Sequence, residues 1–265
     1  MPRSRRKFDI DEFVRECLQA WETEGADAVK DVLDRTLGRG CAPVRECFGD
    51  PREAHLQVLY PGPELVIENM VWAPGMSYPA HNHNTPVMTG VYAGLEVNDF
   101  YQPQSSTGGR LQRTETVDIN EGEAVLMAHD AIHRIANPSR RSFTGAFHIY
   151  MGDYLHSSRS IWYPDDASET PASFALTKDI FAAANRDLAA ARAAEADQDV
   201  HKKKGAPPGP VLGAGPTGPG SPSGPPSGPT AHTHGVTHSA PHAPGRGPSR
   251  RGSRAPLHAP GEHQG

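Results

Sequence analysis

No apolar run in this chain of 265 residues approaches the 18 or more residues that a membrane-spanning helix requires, so no membrane span is expected. The opening stretch, Met1 to Phe13, is basic but lacks the apolar core of a secretory signal. Cysteine is scarce: Cys17, Cys41 and Cys47 are odd in number and form no C-x-x-C pair. That excludes a disulfide framework and fits a reducing cytoplasm. Positive charge is short as well. The chain carries −5 overall, and residues 1–204 carry −8, with 22 basic against 30 acidic residues. Nucleic acid is therefore not an expected partner through any general field. The last 61 residues, 205–265, lack apolar bulk, with Val211, Leu212, Val236 and Leu257 as their only sizeable apolar side chains. They hold 14 Gly and 14 Pro, and cannot bury enough surface to offset the entropy of ordering. A disordered tail is expected there, leaving residues 1–204 as one domain of sufficient size.

Within that domain three zones differ in period. Asp9 and Asp11 stand where helix caps belong, and Phe13, Val14, Cys17, Leu18 and Trp21 recur at helical spacing. Gly25 interrupts, and Val29, Val32, Leu33 and Leu37 predict a second helix ending at Gly38 or Gly40. From about His55 to Trp162 the pattern changes to short β-branched and aromatic runs cut by Pro, Gly, Asn and Asp. HLQVLY, ELVIENMVW, VMTGVYAG, LEVNDFY, RTETVDI, EAVLMA and SFTGAFHIYM read as strands of an antiparallel sandwich or barrel. After Pro171 an Ala-rich helix is expected from Ser173 to roughly Ala196. The tail then holds six of the fourteen histidines, irregularly spaced, which reads as drift in a low-complexity extension rather than a built metal site.

The chemistry concentrates in Gly75-M-S-Y-P-A-His81-N-His83. Two histidines at i and i+2 of a strand project from one face, roughly 7 Å apart along the chain, and both imidazoles can reach one metal. A third donor is expected from Gly122-E-A-V-L-M-A-His129-D-A-I-His133-R-I-A-Asn137. His133 is preferred, because it lies in a β-like run, whereas His129 sits in a turn-like H-D pair.

These two passages, Gly, five residues, His-x-His, then Gly, ten residues, His-x-x-x-Asn, resemble the two motifs of the cupin superfamily. The resemblance implies a mainly β fold, a double-stranded β-helix or jelly-roll barrel over roughly residues 50 to 171, with N-terminal helices and one C-terminal helix. The first motif usually carries a Glu ligand separated from its second His by three or four residues, where this chain has Val87 and Met88. A cupin with three histidines and no Glu resembles the thiol dioxygenases, cysteine dioxygenase and 3-mercaptopropionate dioxygenase, and a bacterial branch of similar sequences. That likeness implies His81, His83 and His133 as ligands of Fe(II). Such a set leaves three adjacent positions for a thiolate, a second substrate group and dioxygen.

Further along, Ala146-F-His148-I-Tyr150 is similar to the Ser-x-His-x-Tyr relay of that family, with Ala in place of Ser. The resemblance implies Tyr150 beside the reacting groups with His148 behind it, the far side of His148 being held by water or another group. It also implies Arg159 as a carboxylate clamp, suited by its bidentate fork, and Gln57 as a second substrate contact. Met88 falls where animal cysteine dioxygenases have a crosslinking Cys, so no crosslink is expected. The leading expectation is oxidation of a small thiol to its sulfinic acid by Fe(II) and O2. Another metal-dependent cupin oxygenase or isomerase, and a cupin that binds a small molecule without turnover, remain open.

Overall fold

The computed structural model describes residues 7–104, 110–163 and 169–204, with side chains as far as residue 197. The segment expected to be disordered, 205–265, lies outside the described residues. Asp9 is extended, and its carboxylate accepts the Glu12 N–H at 2.8 Å, which opens helix α1 (Ile10–Glu24). Gly25, at φ 76°, ends α1 and leads directly into α2 (Ala26–Gly38). A third helix, α3 (Ala42–Phe48), escapes the periodicity because it is only seven residues long; Pro43 in its first turn is compatible with that start.

Eleven strands among the described residues form two antiparallel sheets. The five-stranded sheet runs β1 (His55–Pro61), β2 (Leu65–Trp72), β9 (Thr144–Met151), β4 (Val87–Ala93), β7 (Ala124–Met127). The six-stranded sheet runs β11 (Glu169–Pro171), β10 (Ser160–Trp162), β3 (Ser77–Asn82), β8 (Ile132–Ala136), β5 (Leu95–Gln104), β6 (Arg110–Asn120). The orders β2-β9-β4-β7 and β3-β8-β5-β6 are those of a jelly roll, two Greek keys wound together as a double-stranded β-helix. The mainly β expectation therefore holds, and each of the seven strand runs read from the sequence is a strand. The three-residue strands β10 and β11 were too short to carry a period.

Burial explains why β2, β4 and β9 show little alternation. Both of their faces are covered. Leu65, Ile67, Met88, Tyr92, Phe147, Ile149 and Met151 point outward and pack with Phe13, Cys17, Val29, Leu33 and Leu37 of the helices. Gly90 permits this approach: a Cβ there would lie 2.4 Å from Leu33 Cδ2. The inward side chains of the same strands, such as Val66, Val87, Ala146 and Tyr150, form a separate cluster.

The final helix, α4 (Phe174–Lys204), begins where expected, Ser173 Oγ accepting the Leu176 N–H at 3.1 Å, but runs eight residues past Ala196. Phe181 buries against Trp72 and Tyr78. Asn185 locks α4 to the start of β1, accepting from Ala54 N at 2.7 Å and donating to Ala54 O at 2.9 Å. Asn137, the last residue of the second motif, is structural: its amide donates to the carbonyls of Trp72, Ala73 and Ser142.

Candidate metal centre

Strand β3 carries one extra residue relative to β8, since Tyr78 pairs with Ile135 and His81 with His133. A bulge of this kind re-aims side chains, so Tyr78 and His81, three apart, both face the barrel interior. Pro79 sits in the bulge, where a missing N–H costs no ladder bond. Its carbonyl is 2.9 Å from His81 Nδ1 and accepts that proton. The lone pair of His81 is thereby left on Nε2.

His81, His83 and His133 are buried, and their donor nitrogens all lie within 4.8 Å of one another. The ring centroids of the three pairs are 4.5 to 5.0 Å apart. Neither nitrogen of His83 has a hydrogen-bond partner, nor does His133 Nε2. A buried, unpaired imidazole nitrogen is costly unless something else occupies it. Burial lowers all three pKa values, His81 to about 4 and the other two well below the ordinary range. The imidazoles are therefore neutral at pH 7, the state in which they bind a metal. Converging neutral donors with unspent lone pairs fit a divalent transition metal. His129, by contrast, is exposed in the turn after β7 and takes no part.

Behind His133 lies a polar network that sequence reading missed. His133 Nδ1 is 2.7 Å from Asn98 Oδ1, and Asn98 Nδ2 donates to Glu96 Oε1 at 3.2 Å. Glu96 Oε2 accepts the Trp72 indole N–H at 2.7 Å and faces His148 Nε2 at 3.0 Å. Glu96 and Asn98 are fully buried. Burial pushes the Glu96 carboxyl up, but His148 and the hydrogen bonds from His148, Asn98 and Trp72 outweigh it and hold the group below the usual carboxylate range.

The relay implied by Ala146-F-His148-I-Tyr150 takes a different form. All three residues line the inner face of β9, yet His148 turns to Glu96, and its ring centroid is 6.3 Å from that of Tyr150. Glu96 is the group that takes up the polar reach left by the missing Ser hydroxyl. Tyr150 stacks on Tyr154 with centroids 3.7 Å apart and lies 5.1 Å from His83. Burial raises the pKa of its hydroxyl well above the ordinary value, with Tyr154 and Glu68 adding to the rise and Arg159 opposing it. Glu68, register partner of His148, is also buried. Its carboxyl is pushed up to about 7 by that burial, against the lowering effects of His148, Arg159 and Tyr150.

Arg159 comes to this corner too. Its guanidinium lies 4.0 Å over the Tyr154 ring, and its Nε is buried without a partner, as is Glu68 Oε2. Asp153, one possible surface partner, pairs with His156 instead at 2.6 Å. Gln57 is not brought to the site. The β1–β2 register sets it opposite Asn69, whose amide donates to it at 3.5 Å, on the outer face of the sheet. Side-chain direction alternates along a strand, so the neighbour Glu68 faces in while Asn69 and Gln57 face out. Met88 likewise packs outward beneath the helices, and Val87 is the residue in register with Tyr150.

No protein-family model matches this chain, and no curated protein matches it. Solved structures do resemble it. One is an RmlC-like cupin family protein with a double-stranded β-helix fold from Methanocaldococcus jannaschii, 16% identical over 40% of this chain and 86% of that one, with a TM-score of 0.33. A cupin superfamily protein from Desulfitobacterium hafniense gives the same 16% identity, 40% and 86% coverage and TM-score of 0.33. Oxalate oxidase in complex with the substrate analogue glycolate is 15% identical over 40% of this chain and 54% of that one, with a TM-score of 0.31. The fold assignment rests on the strand order: the chain folds as a double-stranded β-helix, with three histidines converging inside it.

Proposed function

We propose that this protein is a mononuclear non-haem iron dioxygenase that oxidises a small thiol, such as cysteine or 3-mercaptopropionate, to its sulfinic acid. Both atoms of O2 enter the product, so thiol and dioxygen suffice as reactants. The observation that carries the reading is the donor set: three buried neutral imidazoles, with unpaired nitrogens on His83 and His133 and no carboxylate among them. Val87, not a Glu, lines the barrel at the position where a fourth protein ligand is usual. An Fe(II) held by His81, His83 and His133 would supply adjacent positions for thiolate and dioxygen and the electrons to activate the latter.

The protein's own groups do the rest. Arg159, with an unpaired Nε and its cation spread over Tyr154, offers a fork for a substrate carboxylate. Tyr150, beside His83 and kept protonated by its burial, offers a hydroxyl proton to negative charge in the site. Glu68 Oε2 can accept from a substrate ammonium or hydroxyl. No helix among the described residues is long and apolar enough to cross a membrane. A thiol substrate suits the reducing cytoplasm proposed as its location.

A second reading, a metal-dependent cupin with other oxygen chemistry, is favoured by one observation, that His148 binds Glu96 and not Tyr150. Anaerobic reconstitution with Fe(II), followed by oxygen uptake with cysteine, cysteamine and 3-mercaptopropionate, separates the two. One O2 consumed per thiol, with sulfinate formed, is expected. Bound iron without thiol-dependent uptake would favour the second reading.

A further inference from the structure

We propose that Glu96 is a positioning residue that fixes which nitrogen of His133 faces the metal, acting through Asn98. It rests on the reading of His133 as a ligand, and it assigns the cause of that residue's readiness to bind.

The inference follows from the polarity of each hydrogen bond. An indole N–H can only donate, so Glu96 Oε2, 2.7 Å from Trp72 Nε1, is an acceptor. His148 Nε2 approaches the same oxygen at 3.0 Å. These contacts hold the carboxyl below the usual carboxylate range, so it is ionised and has no proton to offer. Asn98, 3.2 Å from Oε1, must therefore turn its NH2 toward Glu96. Its carbonyl is left facing His133 Nδ1 at 2.7 Å, and a carbonyl only accepts. His133 consequently carries its proton on Nδ1, and the lone pair of the neutral ring is on Nε2, the atom without a partner in the barrel. Glu96, Asn98 and His133 are each 0% exposed, so water cannot substitute for a wrongly turned amide.

The three histidines are held in different ways, which supplies an internal control. His81 is fixed by the backbone carbonyl of Pro79 at 2.9 Å, and His83 has no partner at either nitrogen. Only His133 depends on a chain of side chains ending in Glu96.

An isosteric change reverses that chain. In Glu96→Gln the amide oxygen must remain opposite the Trp72 N–H, so the new NH2 faces Asn98. Asn98 then turns its carbonyl to that NH2 and its own NH2 to His133. The His133 proton moves to Nε2, where it blocks the metal. Adding a carboxylate at the next link restores order. In Glu96→Gln/Asn98→Asp the glutamine NH2 donates to the new carboxylate, which again accepts from His133 Nδ1–H.

The test uses ¹⁵N chemical shifts of the histidine rings in metal-free protein, with anaerobic Fe(II) and Co(II) titrations alongside. Wild type is expected to show His133 protonated at Nδ1. Glu96→Gln is expected to move that proton to Nε2, leave His81 unchanged and weaken metal binding about 10- to 100-fold. The double variant is expected to recover both tautomer and affinity. A wild-type His133 protonated at Nε2 would overturn the inference with no substitution needed. So would a Glu96→Gln protein that keeps the Nδ1 proton, or one that weakens metal while every histidine tautomer stays as in wild type. Tautomers that follow this scheme in a protein binding neither metal would uphold the inference and overturn the reading of the site.

Discussion

The two faces of strand β9 have the same backbone and opposite chemistry. Phe147, Ile149 and Met151 point outward into a closed apolar layer beneath α1 and α2, where Phe147 meets Phe13 at 4.7 Å between ring centroids. Ala146, His148 and Tyr150 point inward, among Glu68, Glu96 and the three histidines. One face is filled with side chains that satisfy one another. The other retains buried polar atoms with no partner: His83 Nδ1 and Nε2, His133 Nε2, Glu68 Oε2 and Arg159 Nε. The contrast shows where the molecule places its stability and where it places its chemistry, a few ångströms apart across a single sheet.

The comparison breaks most sharply at the histidines. His133→Ala is expected to lose most bound iron, with His129→Ala retaining it, as measured by metal content after anaerobic loading. The metal-free His133→Ala protein should also melt below wild type, since the change leaves Asn98 Oδ1 buried without its partner. Next in size is the outer face. Phe147→Ala should cost roughly 3–5 kcal/mol in urea unfolding, because it removes a ring from a packed layer. Iron stoichiometry of the folded fraction should be unchanged.

A third effect sharpens the polar side. The Glu68 carboxyl has a folded pKa of about 7 against an ordinary 4.5, so the unfolded chain releases its proton first as pH rises. Stability from this group is complete below pH 4.5 and is lost as pH rises through 7. Glu68→Gln removes that loss. The stability difference between variant and wild type, both metal-free, should therefore shift toward the variant between pH 4.5 and 7, by at most about 3 kcal/mol, and level off above. A difference that stays flat across this range would mean that Glu68 does not titrate there. The smallest effect belongs to the clamp. Arg159→Lys keeps the charge but loses the fork, and should raise the apparent KM for a carboxylate-bearing thiol several-fold more than it lowers kcat. Unchanged KM would remove Arg159 from substrate binding.

Much of the site was legible because strands preserve parity. His81 and His83 at i and i+2, and His148 and Tyr150 likewise, share faces whatever the barrel does around them. Arg159 was reachable through its spacing from Tyr150. Gln57 was misplaced because register, not spacing, decides which way a strand's residues face, and β1 takes its register from β2. Glu96 and Asn98 were passed over for a related reason. In LEVND the alternation is visible, but polar residues at alternate positions ordinarily mark the solvent face. Here they are the buried ones, and Leu95 and Val97 are half-exposed. A Glu and an Asn two apart, in a strand facing a histidine-bearing one, were the signal available.

The sequence alone determined the periods: helices capped at Asp9 and broken at Gly25, strands cut by turns, and a His-x-His pair able to reach one metal. Those are local properties, set by φ/ψ preference and side-chain spacing. Only the tertiary structure decided that β8 lies beside β3 and brings His133 to His81, that Glu96 takes up the reach of His148, and that Glu68 and Arg159 meet at Tyr150. Those contacts join residues far apart in the chain. They depend on which sheet neighbours which and on which face turns inward, and packing of the two sheets around one interior settles both.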